Sequence, residues 1–372
     1  MAPKIPIARL ELSRKEIDAV RRVLKSGQLR AGPVAEKFEA EFARRSGARF
    51  AVAVNSGTSA LFLASSALLK PGDEAIVPDF TFVATASMVM AAGARPILAD
   101  IDPETFNLDP ADAERRITAR TRAIIPVHLY GRPADIGRLL RLARRYKLKI
   151  IWDAAQAHGA RYHGHDVGSF PDVVCYSFYP SKNMTVGEGG MLLTAKARLA
   201  QELRLMRSHG ERTRYRHFRL GYNFRLTDVA AALGLEQLRR LETANRRRRR
   251  NAAALARGLA GIPGLGLPSE RDDIDPVYNS FTIRLDPEWI GMSRDEFRVE
   301  LARRGVETAV HYPFPLHRQP LFRGFGVDQD FPVSTRLSKT VLSLPVHPAL
   351  TRRDLRRITE AVREVAGLSR RP

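Results

Sequence analysis

Apolar residues along the first two-thirds of the chain come in short runs separated by longer patterned segments. The runs are Phe50 to Asn55, Glu74 to Pro78, Arg95 to Ile101, Arg122 to His128, Lys149 to Asp153, Val173 to Phe178 and Gly189 to Thr194. Runs this short that are apolar on both faces predict strands buried inside a mostly parallel sheet. Between them, TSALFLASSALL and DIGRLLRLARRYK repeat at helical spacing, and the second is amphipathic enough to lie on a sheet. Alternation of the two patterns from about residue 35 to 235 predicts an α/β domain with helices on both faces of the sheet.

The pattern changes after the Gly/Pro-rich stretch GIPGLGLPSERDD. YNSFTIRLD reads as a strand, and SRDEFRVELARRG and TRRDLRRITEAVREVAG read as helices, which predicts a smaller C-terminal α+β domain. At the start, SRKEIDAVRRVLKSG predicts an amphipathic helix ending near Gly27. The expected division is therefore an N-terminal helical segment over 1–30, a large domain over 31–250 and a small domain over 251–372. Single cores rarely grow much past about 250 residues, so 372 residues suit this arrangement.

Charge raises a different possibility. The chain carries +21 net charges, with 51 arginines against ten lysines and an unbroken RRRRR at Arg246 to Arg250. The arginines are spread along the whole chain, and around the run leucine and alanine recur at helical spacing, so a long helix with a solvated basic face is expected. No nucleic-acid-binding module accompanies the charge, and nucleic acid is not an expected partner. Attraction of anionic substrates, sugar nucleotides among them, is. Cys175 is the one cysteine and lies in the apolar run DVVCYSF, which predicts a buried thiol and leaves no disulfide framework or zinc cluster. No stretch reaches the roughly 18 apolar residues of a membrane span, and MAPKIPIARL lacks a secretory apolar segment, so a soluble cytoplasmic protein is expected. His163, His165 and Asp166 lack a further ligand motif, and no metal is expected.

Three segments carry candidate chemistry. NSGTSAL follows a strand and opens a helix; its free amides, the Thr58 hydroxyl and the small Gly57 form an anion site, although Ser-Gly-Thr also serves as an ordinary helix cap. Asp153 ends the run KIIWD, where ligands bind in parallel sheets. Its carboxylate can hold a pyridinium nitrogen protonated, with Gln156 near a ring oxygen, or it can simply cap a helix. Lys182, in SFYPSKNMTVGEGG, follows a buried strand, where its amine can be desolvated into a nucleophile and Ser177 can reach the same anion as Thr58.

Read in order, these segments resemble the DegT-type sugar aminotransferase family, a branch of the fold-type I pyridoxal-phosphate (PLP) transferases. The resemblance runs through SGTSAL, PGDEAIVPDFTFVATA, PVHLYGRPADI, DAAQAHGA, SFYPSK, GEGG, GYNFRLTDVAAALGLEQL, HYPFPLHRQP and SLPVHP. It implies pyridoxal 5'-phosphate bound as a Schiff base on Lys182, which would also shuttle the proton. Asp153 would bind the ring nitrogen, Gln156 the phenolic oxygen and Phe82 the ring face, while Gly57, Thr58 and Ser177 would hold the phosphate. Asn223 of GYN would reach the phosphate of a neighbouring subunit, giving a homodimer with shared sites. The implied reaction moves an amino group from glutamate or glutamine to a keto sugar, nucleotide-linked, for amino-sugar biosynthesis. Relatives that dehydrate sugars have histidine in place of the lysine, so Lys182 favours amination.

Departures bear on the acceptor. Tyr179 stands where the family often has histidine, and SGQLRAGP replaces a commoner aromatic and threonine-rich segment. His311, Tyr312 and His317 in HYPFPLH are candidate substrate contacts at the mouth of the site. The competing readings are amination of a keto-cyclitol and a non-catalytic PLP-fold regulator. The regulator would need loss of Lys182 or an added DNA-binding module, and the sequence has neither.

Overall fold

In the computed structural model, which describes residues 3–269 and 271–368, each of the seven apolar runs contributes a strand to one sheet. They are β1 (Phe50–Val54), β2 (Glu74–Pro78), β3 (Arg95–Ala99), β4 (Thr121–Ile124), β5 (Lys149–Asp153), β6 (Val173–Ser177) and β7 (Gly190–Thr194), in the order β1-β7-β6-β5-β4-β2-β3. Only β7 runs antiparallel to its neighbours.

Two strands stop two or more residues before their apolar runs do, each for a local reason. The β4 ladder ends at Ile124 because Pro126 has no N–H to donate, leaving Val127 an isolated bridge to Asp153. The β3 ladder ends at Ala99 because the Asp100 N–H donates to the Asp112 carboxylate at 2.6 Å and its carbonyl accepts the Asp109 amide at 3.2 Å.

Side chains alternate between the two faces of the sheet, and both faces are covered. Val52, Val77, Ile151, Cys175 and Leu192 point into one core, which α3 (Gly57–Leu68) and α4 (Ala84–Ala91), the helices after α1 (Arg14–Ser26) and α2 (Pro33–Ser46), help to close. Ala53, Ile76, Trp152, Val174 and Met191 point into the other, with Phe38 and Phe42 from the helix Pro33–Ser46. Cys175 is 1% exposed, a buried thiol.

A third core belongs to the small α+β part. Strands Leu265–Gly266, Phe281–Leu285 and Val341–Leu344 form an antiparallel sheet against helices Arg294–Arg303 and Arg352–Leu368. The 32-residue helix Asp228–Leu259 joins the two parts: Ala231, Leu238 and Leu241 sit in the large-domain core, Ala252, Leu255 and Leu259 in the small one. The division expected at residue 250 falls inside this helix. The N-terminal helix, Arg14–Ser26, starts at a Ser13/Glu16 capping box, stops at left-handed Gly27 and packs on the long helix, where buried Glu16 pairs with Arg240.

The basic run on the long helix is not wholly solvated. Arg246, Arg247 and Arg250 are exposed, but Arg248 is 7% exposed and donates to the backbone carbonyls of Tyr278 and Asn279. Burial lowers its pKa to about 10. Among the described residues no helix is long and apolar enough to cross a membrane.

Candidate active site

The carboxyl ends of β5 and β6 and the turn after β1 open onto one cleft of about 620 Å³. At the turn, Ser56 is the N-cap of α3, its Oγ accepting the Ser59 amide at 3.0 Å, which places Gly57 and Thr58 at the start of the helix on the cleft wall. The glycine is sterically required: a Cβ there would lie 2.6 Å from Cβ of Ser177, the last residue of β6. The helix start and the Ser177 hydroxyl therefore form one continuous cradle with the helix dipole behind it, a setting that favours an anion.

Asp153 ends β5 and is 4% exposed. Its Oδ2 accepts the Thr85 hydroxyl at 2.8 Å and its Oδ1 the Ala155 amide at 3.1 Å. Burial raises its pKa; those two hydrogen bonds and the charge of Lys182 oppose the rise. Bringing a cation to this carboxylate would relieve the cost of its burial.

Gln156 has a fixed amide. The Tyr130 backbone N–H donates to its Oε1 at 2.7 Å, so the other end must be the NH2 group, which donates to the Tyr312 hydroxyl at 3.3 Å and lies on the cleft wall as a donor. Tyr130 reaches this position with left-handed backbone, φ 58°.

Lys182 lies on the loop between β6 and β7, which is pinned at its ends and in its middle. Phe178 donates its N–H to Gly189 O at 2.8 Å, and the Thr185 hydroxyl donates to Phe178 O at 2.7 Å. Asn183 donates to Asn245 Oδ1 on the long helix and to Val277 O, each at 2.9 Å, and Asn279 donates to Ser181 O at 3.1 Å. Burial lowers the pKa of the Lys182 amine, and the Asp153 charge works against that shift. The loop so presents to the cleft an amine more readily neutral than an ordinary lysine, as a nucleophile and proton carrier requires.

An aromatic wall completes the cleft. Phe82 is 56% exposed there, its ring centroid 6.3 Å from that of Tyr312. His311 lies beside Tyr312 and has its pKa lowered by burial and by the charge of Lys182.

Nine of the residues singled out in the sequence thus meet on one cleft: Gly57, Thr58, Phe82, Asp153, Gln156, Ser177, Lys182, His311 and Tyr312. Two do not. Asn223 is exposed and bridges to Ser208, off the cleft of its own chain. His317, expected at the mouth, is instead buried with its ring between Asp79 and Asp328. The structure adds Thr85, Tyr130, Glu188 and Asn279, none of them singled out in the sequence. Of these Thr85, Tyr130 and Glu188 had a signal, their places in the FVATA, PVHLYGRPADI and GEGG segments, and Asn279 had none.

The residues fit PLP on the structure's own terms: a cradle that a Cβ would fill, a buried carboxylate, an amide donor with only one possible orientation and a half-buried lysine whose pKa is lowered. Fold and cleft together define a PLP-dependent transferase of fold type I. The profile of the DegT/DnrJ/EryC1/StrS aminotransferase family matches residues 11–363, and the chain belongs to that family; it is a PLP-dependent aminotransferase. It is 43% identical to the dTDP-3-amino-3,4,6-trideoxy-alpha-D-glucose transaminase of Streptomyces venezuelae, over 98% of this chain and 97% of that one. It is 39% identical to the UDP-2-acetamido-2-deoxy-3-oxo-D-glucuronate aminotransferase of Pseudomonas aeruginosa, over 93% and 95%. The crystal structure of S. venezuelae DesV in complex with a ketimine intermediate superposes with a TM-score of 0.95 at 42% identity, covering 100% of each chain.

Proposed function

We propose that this aminotransferase transfers the amino group of glutamate or glutamine to a nucleotide-linked keto sugar, with Lys182 as the reacting amine. The observation that carries the reading is the convergence of Lys182, Asp153, Gln156 and the Gly57/Ser177 cradle on a single cleft. The relatives named above act, by their names, on dTDP- and UDP-linked sugars, which supports the nucleotide-linked acceptor.

PLP, when bound, supplies the electron sink and carries the amino group between donor and acceptor. The chain's own residues do the rest. The α3 amides at Gly57 and Thr58 and the Ser177 hydroxyl bind the phosphate. The Asp153 carboxylate holds a proton on the ring nitrogen, kept in place by Thr85 and the Ala155 amide. The Gln156 amide donates to the phenolic oxygen, and Phe82 covers one ring face. The Lys182 Nζ, its pKa lowered by burial, would hold the cofactor and would take the proton from the donor's α carbon and return one to the acceptor carbon. Asn223, exposed and off its own cleft, contributes to the site of a second copy in a homodimer. Protein preloaded with the amino form of the cofactor should return to the lysine-bound form, read by its visible absorbance, when given nucleotide-linked keto sugars. A response to free keto sugars or keto-cyclitols alone would refute the nucleotide-linked acceptor.

A further inference from the structure

His317 is too well partnered to be an idle core histidine. Asp79, the first residue after β2, is fully buried, and its backbone oxygen accepts the Leu316 amide at 2.8 Å. Its carboxylate accepts twice from His317, from the backbone N–H at 2.8 Å and from Nδ1 at 2.7 Å. On the far side of the ring, Nε2 faces Asp328 Oδ1 at 2.9 Å, and Arg318 pairs with the same Asp328. The ring stacks on Phe331 at 4.9 Å, over which lies the Arg116 guanidinium. A carboxylate oxygen against each nitrogen is a setting that favours the protonated ring, in which both nitrogens donate.

The clamp joins two segments that each carry part of the aromatic wall. Phe82 follows Asp79 by three residues, and Tyr312 precedes His317 by five. Phe80, between Asp79 and Phe82, is fully buried with its ring 6.0 Å from that of Tyr312. Tyr312 in turn accepts the Gln156 amide. A slip between the two segments would therefore move the ring-covering phenylalanine relative to the donor for the phenolic oxygen.

We propose that His317 is a positioning residue: the Asp79–His317–Asp328 clamp fixes Phe82 against Tyr312 and so sets the wall that faces the cofactor ring. The inference rests on the cleft being the PLP site. Burial alone would lower the His317 pKa, but the hydrogen bonds to Asp79 and Asp328 outweigh it and the net direction is up. The clamp therefore loosens as pH climbs through that raised pKa, and burial, which raises the Asp79 pKa, sets its limit on the acid side. The other charged groups around it are Asp100, which acts on Asp79, and Arg116 and Arg318.

Two measurements on the full-length protein test the clamp. In cofactor-free His317→Gln, hydrogen exchange at the Leu316 amide should accelerate at least about tenfold relative to wild type, together with the amides of residues 79–82. In the PLP-loaded protein, the induced circular dichroism of the cofactor should fall in His317→Gln and in Phe82→Leu, and the double variant should fall no further than Phe82→Leu alone. Asp328→Asn keeps the Asp79 bonds and serves if His317→Gln folds poorly; the pH at which the wild-type signal decays should move down in it. Unchanged exchange, a cofactor signal that survives in His317→Gln, or losses that multiply in the double variant would each overturn the proposal, even if the melting temperature falls. Absence of any cofactor signal in wild type would instead sink the PLP reading, while the exchange data still decide whether the clamp exists.

Discussion

Gly57 offers the sharpest test of the cradle because its effect can be worked from one distance. A methyl group at this position would meet Ser177 Cβ at 2.6 Å, about 0.8 Å short of the 3.4 Å at which ordinary contact begins, with Ser177 Cα and Oγ both at 3.1 Å. Neither neighbour is the loose end of a flexible side chain: Ser177 closes a buried strand paired on both edges. The start of α3 must therefore back away, at an overpacking cost of about 1–3 kcal/mol. Moving the helix start also withdraws its amides from the phosphate, so Gly57→Ala should weaken PLP binding by roughly ten- to a hundredfold, each factor of ten being about 1.4 kcal/mol. Titration of the cofactor-free variant with PLP, followed by fluorescence quenching, reads this directly. Adding Ser177→Gly removes the clashing Cβ and should recover part of the affinity despite the lost hydroxyl. Wild-type affinity in Gly57→Ala, or a double variant weaker than the product of the two single effects, would refute the steric argument.

The remaining predictions concern the groups around that cradle. Lys182→Met should abolish turnover while PLP still binds noncovalently; because burial lowers the lysine pKa, wild-type stability should rise relative to the variant as pH climbs from the lowered value toward the ordinary one, and parallel melting profiles would contradict the shift. Thr85→Val keeps the shape but removes a hydrogen bond to the Asp153 carboxylate, a loss of about 1.5–3 kcal/mol visible in thermal melts, and PLP binding should weaken with it. Mixed dimers of Lys182→Ala with Asn223→Ala should contain one intact site if Asn223 serves its neighbour. Activity no greater than the average of the two parent homodimers would place Asn223 in its own subunit's service or in none.

The strands were readable because each is buried on both faces, a pattern that composition alone displays. Their ends were less so: β3 stops where the backbone of Asp100 turns to Asp109 and Asp112, inside a run that still reads as apolar through Ile101. The order of the Gly57, Asp153 and Lys182 segments was legible because each follows a strand end, and the parallel sheet gathers those ends on one side. His317 was misplaced because its partner Asp79 lies 238 residues away and a loop histidine looks the same whether it faces a ligand or a buried acid. Arg248 was hidden among exposed arginines, since only the carbonyls of Tyr278 and Asn279 distinguish it from its neighbours. The fixed amide of Gln156 depends on the turn at Tyr130, a conformation that sequence pattern does not specify.

The long helix Asp228–Leu259 has a consequence for how the molecule comes apart. Its Asn245 steadies the lysine loop, its Arg248 and Asn251 tie down carbonyls at Tyr278, Asn279 and His347, and its two halves fill different cores. A helix frays from its ends inward, and its middle opens only when one core or the other lets go. The two lobes should therefore melt in a single transition. A cut near residue 250 would not release a separately folded fragment, because each half would lose the side of the helix that completes its interior.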